Sequence, residues 1–246
     1  MSTAISATHT FAVFRKELRD YRRNRTVIWT MGVLPLIFVA LPTIQLFSVP
    51  IDATGPEVTA RLGVSLLYLL LVPTVVPATL AAYSVVGERE QGTLEPVLTT
   101  PVRREELLLG KAFAALAPTL VIAYAMYGMF LVCAALFAHE GMRAAVFQGE
   151  HVLVQVLFTP LLANWSIWAG IAISTRAGDV RTAQQLTILT SLPPLVLTVL
   201  MAFGVIPYTL PVALGLAAGL LVIDLAAWRL VSALFDRERL VTGRQA

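Results

Sequence analysis

The chain has 246 residues, of which 57% are hydrophobic and 13% charged, and its mean hydropathy is +0.78. Those values exclude an ordinary soluble domain and a disordered chain alike. Lys and Arg number 18 against 15 Asp and Glu, and the single cysteine, Cys133, excludes an intrachain disulfide and a cysteine-built metal cluster.

Phe11, Phe14, Leu18 and Tyr21 recur at spacings of 3, 4 and 3, the repeat of one helical face, with Arg15, Arg19, Arg22 and Arg23 largely off it. Residues 1–26 therefore read as an amphipathic helix in the membrane interface, basic side toward anionic lipid headgroups. It is either a plain anchor or a lever that couples a soluble partner to the first span. Six apolar stretches follow: Val27–Val49, Leu62–Val86, Ala112–Ala138, Val152–Thr175, Leu186–Ile206 and Tyr208–Phe235. Each suffices to cross the bilayer, since about 20 residues rising about 1.5 Å each cover roughly 30 Å of hydrocarbon. The expected fold class is an all-α integral membrane protein, with six transmembrane helices over residues 27–235 and a tail over 236–246. The first stretch is too long for a signal-peptide core and lacks a cleavage pattern, so it should stay in the mature protein. Only Pro207, flanked by Gly204 and Pro211, divides the last two stretches. That reads as a tight hairpin, with one re-entrant element as the alternative.

All of the 18 Lys and Arg except Arg61 and Arg143 fall on one side of this topology. The positive-inside rule makes that side cytoplasmic, with both termini inside and the chain in the plasma membrane. Topology then accounts for the pI near 9.3, and no nucleic-acid partner is expected. The outer connections, Pro50–Arg61, His139–His151 and the turn near Pro207, are too short to fold as a domain.

The connection Glu88–Lys111 between the second and third spans is dense in charge and carries its own helix punctuation. Gly92 suits a helix C-terminus in the left-handed conformation. Thr93 offers a cap for a brief turn, and Thr100–Pro101 is a second start signal. The expected arrangement is helix, turn and short helix, the last ending near Gly110–Lys111.

The ordered pattern E-R-E-x-G-T-L-E, T-P and E-L-L-L-G-K resembles the cytoplasmic loop of type-2 ATP-binding-cassette (ABC) exporter permeases. The matching residues are Glu88, Arg89, Glu90, Gly92, Thr93, Leu94, Glu95, Thr100, Pro101, Glu106, Leu107, Gly110 and Lys111. The resemblance covers essentially the whole chain and implies that this loop carries a coupling helix docked on an ATPase subunit. Pro96 departs from the pattern, so the docking helix is either Leu94–Thr99 or Pro101–Gly110. Gly178–Leu186 resembles the family's second cytoplasmic turn, which singles out Asp179, Arg181 and Gln184. The resemblance further implies two ABC ATPase copies, a second permease copy or paralogue, and a lipid surround. ATP and Mg would be held by the ATPase partner, and none by this chain.

No phosphate loop is present, because Ala112 follows Gly110–Lys111 and Glu105 stands where the first glycine belongs. Gly215 and Gly219 form a weak G-x-x-x-G pair, read chiefly as packing within the chain. Asp224 is expected inside the sixth span, where a carboxylate marks a pathway unless it pairs with Arg229 or reaches the interface. Asn164 and Gln155 read as hydrogen-bonding groups between helices, with Asn164 also a pathway candidate. Intramembrane proteolysis is poorly supported: the three histidines lie outside the spans, one membrane carboxylate is available, and no H-E-x-x-H occurs. The remaining rivals are a proton-coupled transporter using Asp224 and a non-transporting assembly subunit. The residues point best to an ATP-driven exporter's membrane subunit, with no enzymatic activity of its own.

Overall fold

The computed structural model describes residues 6–50, 55–93, 102–202, 205–207 and 209–234. Every regular element among them is helical. In order these are α1 (Ala7–Tyr21), α2 (Arg25–Phe47), α3 (Gly55–Glu90), α4 (Arg104–Phe137), α5 (Glu140–Val146), α6 (Gly149–Ser174), α7 (Val180–Thr190), α8 (Leu192–Ala202) and α9 (Leu210–Leu234). Among the described residues, six helical segments are long and apolar enough to cross a membrane, α7 and α8 together making one of them. The all-α, six-span expectation therefore holds.

The hub is α3. It packs against α2, α4, α6, α7 and α8, and 72% of its most apolar stretch is buried, against 22% for α2, α4 and α9. The outer helices instead turn Trp29, Ile44, Val121, Leu136, Val222 and Leu230 outward, as helices solvated by hydrocarbon do. Small residues set the closest approaches. A Cβ added at Gly170 of α6 would lie 2.5 Å from the Ala81 Cβ of α3. By contrast, Gly215 and Gly219 face open space, so among the described residues the close packing within the chain expected of them is not made.

Hydroxyls, one indole and the expected Asn164 amide, which reaches Asp224 of α9, join the helices. Ser166 Oγ donates to the Thr74 carbonyl at 2.7 Å, beside Pro73 and Pro77, and Trp165 Nε1 donates to the Thr190 carbonyl at 2.9 Å. The buried Gln155 side-chain oxygen has no partner among the described residues. The fifth span breaks at Ser191, where α7 ends, and α8 restarts with Pro193 and Pro194 in its first turn. Prolines at that position lack only donors that a helix start leaves unused. Beyond the 203–209 connection, α9 packs on α6 while α8 packs on α3, so the last two apolar stretches are separate helices.

Candidate functional site

The second span ends in an irregular, heavily bonded turn. Tyr83–Gly87 is wound as a π-helix, a register change that inserts a residue and frees backbone groups. Ser174, at the end of α6, fills the gap. Its Oγ accepts from the Val85 and Val86 N–H groups at 3.3 and 2.9 Å and donates to the Ala82 carbonyl at 2.8 Å. The Ser84 carbonyl is left pointing at α4, where Lys111 Nζ donates to it at 2.6 Å.

Lys111 is among the largest fully buried side chains of the described residues, its side chain 1% exposed. It also donates to Glu17 Oε1 of α1 at 2.9 Å and forms an ion pair with Glu88 Oε2 of α3 at 2.8 Å. Lys16 of α1 closes the circuit, pairing with Glu88, with Glu17 at 3.1 Å and with Asp20 at 3.1 Å. The network thus ties the N-terminal helix, the end of the second span and the start of the third. Burial raises the Glu17 carboxyl, but Lys111 and Lys16 outweigh it and hold its pKa below the usual range. Lys16 is held protonated in the same way, since Glu17 and Glu88 outweigh its desolvation. Burial, followed by the charges of Glu17, Glu88 and Asp20, pushes the Tyr21 phenol well up.

The chain approaches itself closely enough for this because Gly110 has no side chain. A Cβ there would lie 2.6 Å from Val13 and 2.9 Å from the Thr10 carbonyl oxygen. One turn earlier on α4, Glu106 accepts from the Ser6 N–H at 2.7 Å, the Arg103 N–H at 3.0 Å and His9 Nδ1 at 3.0 Å. α1 is therefore pinned at both ends, and its buried stripe is Val13, Glu17 and Tyr21. Beside the expected apolar face, of which Phe11 is 59% exposed, the charged Glu17 takes a core position. Glu17 lies four residues from both Val13 and Tyr21, so an acid in the middle of an apolar i, i+4 stripe was the signal for a buried pair.

Beyond Glu88 the helix stops as the glycine predicts. Gly92 has φ +67°, its N–H bonds to the Arg89 carbonyl at 3.1 Å, and the Thr93 N–H bonds to the Glu88 carbonyl at 2.9 Å. This is a Schellman ending, and the Thr93 hydroxyl also turns back to the Glu88 carbonyl, at 3.3 Å. Arg89 donates to the Ala177 carbonyl and Glu90 accepts from the Val180 N–H at 3.3 Å, joining this end to the α6–α7 turn. In that turn Asp179 caps α7, accepting from the Thr182 N–H at 2.8 Å, which with the Thr182 hydroxyl lowers its pKa. Gln184 Nε2 donates to Thr79 Oγ1 of α3 at 2.8 Å, and Arg181 is exposed.

The loop residues singled out by sequence thus divide. Glu88, Glu106, Leu107, Gly110 and Lys111 are buried inside the junction, whereas Arg89, Glu90, Gly92 and Thr93 are exposed. Leu94, Glu95, Thr100 and Pro101 lie outside the described residues. The separate short helix expected to end at Gly110 is not formed: α4 runs from Arg104 to Phe137 without a break. Gly110 is tolerated mid-helix because Val13 occupies the space of its missing side chain. Lys16, Glu17, Ser84 and Ser174 were not foreseen. They act through contacts between segments distant in sequence.

A second polar location lies within the spans. Asp224 of α9 is 1% exposed; the Asn164 amide of α6 interacts with its carboxylate, though neither oxygen meets full hydrogen-bond geometry with any described residue. It does not pair with Arg229, which is exposed. It lines a cavity of about 210 Å³ that Asn164 of α6 also lines.

A family model described as ABC-2 family transporter protein matches residues 11–235. No curated protein matches the chain.

Proposed function

Because this chain belongs to the ABC-2 transporter family, where it is a permease subunit, we propose that a separate ATPase drives it through the loop between α3 and α4. The observation that carries the proposal is the continuity from an exposed tip, Arg89–Thr93, into the buried network of Lys16, Glu17, Glu88 and Lys111. A push on that tip cannot move α3 alone. It moves α1 and α4 with it, since breaking the contacts would strand buried charges. Arg89 and Glu90 carry the same motion into the α6–α7 turn. The N-terminal helix acts as a lever rather than a plain anchor.

The contact with the ATPase is made by the exposed residues of the tip and by residues 94–103, while Glu88, Glu106 and Lys111 transmit. Two ATPase copies, binding ATP and Mg, serve two permease copies, with this face and both termini in the cytoplasm of a plasma membrane. The direction of transport is outward. The test is co-expression with candidate ABC ATPases and reconstitution of any that co-purify. Glu90→Lys and Thr93→Trp are expected to weaken ATPase capture. Lys111→Met should leave capture intact while uncoupling ATP hydrolysis from transport. Capture that survives both tip changes and replacement of 94–103 by a Gly-Ser linker would overturn the assignment.

A further inference from the structure

The cavity between α4, α6 and α9 has an unusual lining for the interior of a membrane protein. Asp224 supplies a carboxylate, Trp168 and Trp228 supply indoles, Asn164 supplies an amide, and Phe113 closes the side toward α1. Both Asp224 oxygens and the Trp228 Nε1 are buried without a hydrogen bond of full geometry among the described residues, and the neutral Asn164 amide that interacts with Asp224 leaves its charge unpaired. No basic side chain lines the space. A carboxylate placed so, inside a span, is costly and is retained where something else satisfies it.

A second feature shows how an occupant would lie. Leu109, Phe113 and Leu116 also line a groove of about 640 Å³ between α1 and α4, faced by Phe11 and Phe14. Apart from Thr10 its lining is apolar. Phe113 is 50% exposed and stands between the two spaces. A carboxylate beside two indoles at one end and an apolar groove at the other is complementary to one kind of molecule.

We propose that this is a binding site for an amphiphilic organic cation, its ammonium head paired with Asp224 and set against Trp168 and Trp228, its apolar body in the α1–α4 groove. Indole faces attract an ammonium through the ring quadrupole, and desolvation strengthens that attraction. The 210 Å³ head cavity holds about seven water volumes at roughly 30 Å³ each. That accommodates a trimethylammonium or dialkylamine group. A lone carboxylate and an amide among apolar walls offer too few oxygen ligands for a hard metal ion. The groove opens beside α1, so the occupant comes from the adjoining leaflet. That this cation is the cargo rests on the permease reading; that the site binds it does not.

The test uses the full chain in phosphatidylglycerol nanodiscs, without ATPase or nucleotide. Benzyltrimethylammonium is titrated by calorimetry against its uncharged isostere, neopentylbenzene. The expected result is saturable binding of the cation, at least tenfold weaker in Asp224→Asn and several-fold weaker in Trp228→Leu. The isostere should bind the wild type at least tenfold more weakly, with no change in Asp224→Asn. Cation binding equal in wild type and Asp224→Asn, isostere binding as tight as the cation, or no saturable binding to folded wild type would each overturn the site. Repeating the titration in phosphatidylcholine discs separates sources: competition there assigns the site to a lipid ammonium headgroup, and unchanged affinity assigns it to a soluble cation. A protein that binds the cation yet exports nothing with its ATPase would sink the cargo reading alone.

Discussion

Replacing Lys111 by Met keeps most of the side-chain volume but removes the charge. Lys111 donates to Glu17 at 2.9 Å and to the Ser84 carbonyl at 2.6 Å, and pairs ionically with Glu88 at 2.8 Å. After the change, two buried carboxylates share Lys16 alone, and Lys16 also serves Asp20. Breaking a buried pair by removing one partner costs about 3–5 kcal/mol. The α1–α4 contact should therefore open more often by about two to nearly four decades, at roughly 1.36 kcal/mol per tenfold. Amide hydrogen exchange over Ala7–Tyr21 in nanodiscs reads this directly, because α1 contributes no span and can open without unfolding the bundle. Neutralising the stranded acids, as in Lys111→Met with Glu17→Gln and Glu88→Gln, should return at least a decade of protection. Exchange in Lys111→Met within threefold of wild type would refute the reasoning. So would a triple variant no better protected than the single one.

Gly110→Ala drives a Cβ into Val13 and the Thr10 carbonyl. Overpacking of that kind costs about 1–3 kcal/mol, so the same exchange experiment should show α1 loosened with the rest of the bundle unaffected. Ser174→Ala leaves the Val85 and Val86 amides without their acceptor. A loss of about 1–3 kcal/mol is expected, seen as a lower melting temperature in detergent; an unchanged one would count against Ser174 as the plug of the π turn. Glu17 has a lowered pKa in the fold, so its contribution is fully present above the ordinary value of 4.5 and fades as pH falls through the lower folded value. Exchange over α1, corrected for intrinsic rates, should be flat from pH 8 to 5 and rise only on further acidification. A loss of protection between pH 8 and 6 would point to another group. Gly92→Ala forces a left-handed alanine at φ +67°, costing about 1–2 kcal/mol, and should weaken ATPase capture without disturbing the exchange of α1.

The sequence by itself determined the class, the number of spans and the end of α3. Apolar runs of membrane-spanning length leave a helix as the only way to satisfy the backbone, and Gly92 terminates α3 by its own conformational freedom. Those are local constraints, readable one segment at a time. Asp179 as a helix cap is of the same kind, its partner Thr182 being three residues away. Tertiary structure alone decided that Glu88 and Lys111, which look like exposed loop charges, are buried, and that Glu17 belongs to the core. Each is burdened with a desolvation cost offset in part by partners as far as 72 to 94 residues away. No local pattern records such partners. The same holds for the π turn, whose freed amides Ser174 reaches from another helix, and for Asp224, whose cavity is lined by three helices.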